Sequence, residues 1–140
     1  MSEPEGLEVP QGELMLRTLA MPADTNPNGD IFGGWLLAQM DIAGGLAAKA
    51  RARNRVATVA VEAMTFHRPV FVGDVVCCYA DFKRVGRTSM TVGIQVWVLR
   101  QAIAQGRVKV TEGVFVYVSI DDQRRPLAIE LTENRAYQGE

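Results

Sequence analysis

One carboxylate stands inside a helix-like run that is apolar almost all the way round. Asp41 is flanked by Trp35, Leu36, Leu37, Ala38, Met40, Ile42, Ala43, Leu46, Ala47 and Ala48. A helix without a polar face is a buried helix. An ionised acid in such surroundings is costly unless it finds partners. Upstream lies a polar, turn-rich loop, Asn26, Pro27, Asn28, Gly29 and Asp30, followed by the pair Gly33 and Gly34 that opens the run. Downstream, Gly44 and Gly45 thin the packing, each at a cost of up to about 1 kcal/mol against Ala in a helix interior. Such glycines are tolerable where another backbone or a ligand comes close. Each feature has a plainer role: a helical Asp often bonds a neighbouring amide, and Gly-Gly is often a turn. Gathered on one element they point to a site.

Other chemistries are poorly supplied. His67 is the only histidine, at a strand end before a proline, so a Ser-His-Asp or Cys-His nucleophile would have to use it; a surface or turn histidine fits that position better. The glycines lack the GK[ST] of a Walker A loop and the strand alternation of a dinucleotide fold. No ligand cluster has metal spacing. Cys77 and Cys78 are adjacent in a strand-like run, so their side chains point to opposite faces and do not bridge. By elimination, chemistry rests on a carboxylate, amide side chains and backbone N–H groups.

The elements that position these groups follow from periodicity. Within 140 residues a single domain is expected, spanning 13–126 between a loose N-terminal arm (1–12) and a C-terminal tail (127–140). Glu13 to Pro22 reads as a first strand. After the helix, a polar exit (Arg51 to Asn54) gives way to a period of two. Arg55 to Phe66 is apolar on both faces, as in a strand covered on both sides. A third strand runs from Gly73 and Asp74 to Val85. Ser89 to Arg100 places Met90, Val92, Ile94, Val96 and Val98 on one face. Val108 to Ile120 places Val108, Val110, Val114, Val116, Val118 and Ile120 on one face and Lys109, Thr111, Tyr117 and Ser119 on the other. Hairpin-length links make the last three strands an antiparallel meander, and one sheet around one helix is an α+β class.

The formal net charge of −1 gives no field for nucleic acid. No apolar run reaches bilayer length and no leader-like segment opens the chain, so no membrane association and a cytoplasmic location are expected. Basic residues collect in the middle, from Arg51 to Arg87, where a phosphorylated ligand would be held.

The segments TLAMPADTNPNGDIFGGWLLAQMDIAGG, VATVAVEAMTFHRPVFVGDVVCCYADFKRVGRTSM and TEGVFVYVSIDD resemble the YciA branch of hotdog-fold acyl-CoA thioesterases, over roughly residues 14 to 126. The resemblance implies a hotdog fold, a long central helix wrapped by a curved antiparallel sheet of about five strands. It implies hydrolysis of acyl-CoA to free acid and coenzyme A without metal or other cofactor. It also implies homodimers with sheets joined edge to edge, assembling to hexamers. The family's helical acid falls on Asp41, its loop Asn or Asp on Asp30 with Asn28 nearby, and its glycine pair on Gly33 and Gly34.

Such hydrolysis needs an activated water and donors for the oxygen that turns negative. The first N–H groups of a helix have no intrahelical partner and lie at its positive end, which suits an oxyanion. Asp41 would serve as base or nucleophile. It lies roughly 10 Å along the helix from the glycines, so one subunit's glycines and another's acid would form a shared site. Arg84, Arg87, Thr88 and Ser89 of the VGRTS turn, with Lys83 and Arg68, are the candidates for the phosphates of CoA. A non-catalytic acyl-CoA-binding protein and a hotdog hydratase or dehydratase are the alternatives. The second would need a histidine beside the helix, and His67 does not lie on that loop.

Overall fold

The computed structural model describes residues 8–100 and 106–130. Most of the expected arm and tail lies outside the described residues. Strand β1 (Glu13–Leu19) leads through a short 3-10 turn (Pro22–Asp24) and the polar loop into helix α1 (Gly33–Ala52). Four strands follow: β2 (Val56–Phe66), β3 (Val75–Val85), β4 (Ser89–Leu99) and β5 (Arg107–Ser119). All pair antiparallel in the order β1-β3-β4-β5-β2. The expected meander is β3-β4-β5, and α1 lies against one face of the sheet.

The β4 alternation predicts the core correctly: Met90, Val92, Ile94, Val96 and Val98 all pack toward α1 with Leu36, Met40, Ala43 and Ala48. Removing this apolar surface from water is the main driving force of folding. Cys78 shares that core, whereas Cys77 packs on the opposite face with Tyr79 and Trp97. The two thiols thus point to opposite faces, as their adjacency predicts, and both are fully buried. Burial pushes the Cys78 thiol up to about 12.

Three sequence expectations change. Helix α1 is not enclosed: the sheet covers one side only, leaving Ile42 49% and Leu46 46% exposed. Strand β2 is not covered on both faces, because it is an edge of the sheet, and Val59 is 57% exposed there. In β5 the single alternation fails at a bulge. Thr111 pairs with Val96 and Lys109 with Trp97, which leaves Val110 unopposed. Beyond it, Phe115 and Tyr117 face the core in place of Val114, Val116 and Val118, since one extra residue reverses every later side chain.

Past Pro126 the chain turns back over the sheet end. The Leu127 N–H donates to Ser119, the Ile129 N–H donates to the Arg87 carbonyl, and Ile129 joins the core.

Candidate active site

Asn26 organises the loop before α1. Its Oδ1 accepts from the N–H groups of Asn28 (2.9 Å) and Asp30 (3.1 Å), and its own N–H donates to the Asp30 carbonyl at 2.7 Å. Gly29 takes φ of +91° to close the turn, a region open to glycine at little cost. The Ile31 N–H then donates to the Val70 carbonyl, tying the loop to the β2–β3 connection. Asn26 therefore sets the positions of Asn28 and Asp30. In the sequence it stands only among turn residues.

Phe32 caps α1 without a side-chain bond. The first intrahelical acceptor, the Phe32 carbonyl, is used by Trp35 and Leu36. Among the described residues, the N–H groups of Gly33 and Gly34 have no acceptor. A Cβ at either glycine would meet only ordinary contacts, with the Phe66 ring or the Phe32 ring at 3.4 Å. Packing does not require these two glycines.

In front of this helix start lies a cleft of about 340 Å³, lined among others by Asp30, Gly33, Leu36, Phe66, His67 and Arg68. Arg68 Nη1 donates to the Lys109 carbonyl at 2.7 Å, which anchors the guanidinium at the rim. His67 Nε2 lies 2.8 Å from Glu112 Oε2, and Lys109 Nζ bridges Glu112 (3.2 Å) and Glu8 (3.3 Å). Partial burial raises the Glu112 pKa, but the bonds from His67 and Lys109 outweigh it and hold the carboxyl below its ordinary range. His67, placed at a turn by the sequence, thus belongs to the rim of the cleft.

Asp41 lies two turns further along α1 and lines no part of that cleft. It is half-buried rather than enclosed. Its Oδ1 accepts from Thr58 Oγ1 at 2.8 Å and from the Tyr117 hydroxyl at 3.0 Å. Thr58 and Tyr117 are paired across β2 and β5, so both hydroxyls come from one rung of the sheet edge. The phenol's single proton is shared with the Asp41 backbone carbonyl, at 3.1 Å. Burial, reinforced by the neighbouring Asp41 carboxylate, holds the phenol well above its usual range. It remains a donor at all working pH values.

Gly44 makes room for this contact. A Cβ there would fall 2.2 Å from the Tyr117 hydroxyl and 2.6 Å from Ile94 Cδ1. The close approach predicted at this glycine is made by a tyrosine rather than by backbone or ligand. Thr58 and Tyr117 were missed because a tyrosine among valines gives no signal of which face it takes once a bulge reverses the strand.

The candidate phosphate contacts do not gather in one protomer. Arg68 is at the glycine end of α1. Arg84, Arg87, Thr88 and Ser89 lie at the β3–β4 turn, where the Thr88 carbonyl accepts from the Ser119 N–H and the Arg87 carbonyl from the Ile129 N–H. That turn is next to the C-terminal end of α1, since Arg51 Nη1 reaches the Glu130 carbonyl at 2.8 Å. Lys83 is on the outer face of the sheet, its stem packed over Gly93 and its Nζ 3.3 Å from Asp81. Among the described residues no group of three or more His, Cys, Asp or Glu is placed to hold a metal ion, and no helix is long and apolar enough to cross a membrane.

Comparison with known proteins bears on this arrangement. The Thioesterase superfamily model matches residues 28–104. The acyl-CoA thioester hydrolase YciA of Escherichia coli strain K12 is 60% identical over 124 residues, covering 86% of this chain and 93% of its own. Among solved structures, a hexameric broad-specificity acyl-coenzyme A thioesterase, crystallised with an Asp-to-Ala change, matches at TM-score 0.86 and 48% identity, covering 92% of this chain and 94% of that one. A hexameric thioesterase from Yersinia pestis matches at TM-score 0.82 and 55% identity, covering 88% and 99%.

Proposed function

This chain belongs to the thioesterase superfamily and, within it, to the YciA-type acyl-CoA thioester hydrolases, and from that premise we propose that it hydrolyses acyl-CoA to a free carboxylic acid and coenzyme A. The observation that carries the reading is a division of labour along α1. Two N–H donors stand open at its start, and one bonded carboxylate stands two turns on.

In the base-catalysed route, Asp41 takes a proton from water as the water oxygen bonds to the thioester carbon. The carbonyl electron pair moves to its oxygen, which the Gly33 and Gly34 N–H groups hold. Collapse expels the CoA thiolate, and the proton on Asp41 passes to it. In the nucleophilic route, Asp41 bonds to the carbon itself, thiolate leaves, water splits the resulting anhydride into the free acid and protonated Asp41, and that proton passes to the thiolate. Both routes balance using water and these groups alone. Asp30 and Asn28, fixed by Asn26, orient the substrate at the glycine end. Arg68, Arg84 and Arg87 receive the phosphates of CoA, with Thr88 and Ser89 beside them; Lys83, on the outer face and paired with Asp81, is the weakest of this set.

Gly34 and Asp41 are roughly 10 Å apart along the axis, too far to grip one carbonyl. The site is therefore proposed to form between protomers, the acid of one facing the glycines of the other. The exposed β2 edge with Val59 and Val61, and the uncovered Ile42 and Leu46 of α1, support an edge-to-edge homodimer, and the hexameric relatives support three such dimers as the full assembly.

A thiol-release assay over a panel of acyl-CoAs tests the activity. Release no faster than buffer for every chain length would refute it. Mixing Asp41→Asn subunits with Asp30→Ala subunits tests the sharing: partial recovery of activity is expected, and none is expected if each site is built within one chain.

A further inference from the structure

We propose that Thr58 and Tyr117 are positioning residues that clamp Asp41 through Oδ1 and leave Oδ2 as the oxygen offered to the reacting molecule. The proposal rests on the reading of Asp41 as the catalytic carboxylate. Its basis is a set of contacts that packing alone does not call for.

A phenylalanine at position 117 would fill nearly the same space. The hydroxyl is buried, and a buried hydroxyl is costly unless bonded. Its single proton is shared between two acceptors of Asp41, Oδ1 at 3.0 Å and the backbone carbonyl at 3.1 Å. Contact with the backbone fixes the phenol relative to α1 whatever the carboxylate rotamer. Thr58 supplies a second donor to the same oxygen at 2.8 Å, from the opposing strand. Two donors from different strands fix the torsion of the carboxyl group, as one would not. Donation to a charged oxygen is strong and lowers the basicity of that oxygen. The free oxygen is thereby left as the reactive one.

Gly44 belongs to the same device, because any side chain there would displace the phenol. The only titratable side chain among the described residues that bonds to Asp41 is Tyr117, and no ion pair among them reaches it.

The test is steady-state hydrolysis of an acyl-CoA by the full chain, with Tm measured alongside, for Tyr117→Phe, Thr58→Val, Thr58→Ser and Asp41→Asn. Loss of either donor should lower kcat by about 10- to 100-fold, the range for a hydrogen bond to a charged group, with KM changed by less than about twofold. Thr58→Ser should recover most of what Thr58→Val loses. A merely structural hydroxyl would lower Tm and leave kcat in place. Wild-type kcat in both Tyr117→Phe and Thr58→Val, with Asp41→Asn inactive, would overturn the clamp and keep the Asp41 reading. Near wild-type kcat in Asp41→Asn would remove both. If Tyr117→Phe does not fold, Thr58→Val on the exposed edge strand decides.

Discussion

The start of α1 and its middle are built on opposite plans. At the start, main-chain N–H groups are left open by two glycines that no packing contact requires, beside a cleft. In the middle, a carboxylate is bonded by two side chains, and the nearby Gly44 is demanded by packing to within 2.2 Å. Backbone donors need only accessibility, whereas a side-chain oxygen must be immobilised before its direction means anything. The same residue type thus serves access at one place and space for a tyrosine at the other.

Asp41→Asn tests the contrast with the largest effect. A general base is worth about 10²–10⁴ in rate, so kcat should drop by that order in steady-state assays while the fold and CoA binding persist. Next comes Gly44→Ala, which drives a methyl group into the phenol. Overpacking of this kind costs about 1–3 kcal/mol, and calorimetry should show a lower Tm together with lost activity. Gly33→Ala or Gly34→Ala should separate the two properties. Ala favours the helix by up to about 1 kcal/mol over Gly, so Tm should hold or rise while kcat falls as the methyl crowds the approach to the amides. A paired loss of Tm at these positions would erase the distinction between the two ends.

The smallest effects concern the arginines. Arg68→Ala and Arg87→Ala should each raise KM for CoA esters more than they lower kcat, because phosphate contacts bind ground and transition state alike. Added salt should mimic both. An effect from only one of them would assign the phosphates to one end of α1.

Much of this was legible from one sequence because glycine and an isolated acid are conspicuous in an apolar helix. The β4 alternation was equally plain, and its five core residues are those in the structure. What escaped depended on placement in three dimensions. Tyr117 takes the core face only because of the bulge at Val110, and a bulge leaves no mark on the hydrophobic pattern of β5. Thr58 looks like any strand threonine until its rung partner is known. The scatter of Arg68, Lys83 and Arg87 was hidden for a related reason: sequence proximity of basic residues says nothing about which end or face of a sheet they reach. The edge position of β2 was also illegible, because an apolar strand at a sheet edge and one covered by its own chain read alike.

The two buried cysteines have a practical consequence for the bench. Both are inaccessible in the folded protein, and the Cys78 thiol is pushed up to about 12; thiols of this kind are inert because the thiolate is the nucleophile. A chromogenic thiol reagent present throughout turnover should therefore report coenzyme A release over a flat enzyme blank. In denaturant the same reagent should titrate both cysteines together, since unfolding uncovers the two faces of β3 at once. One colour reaction would then serve as the activity assay and as a probe of global opening, without a label or an engineered residue.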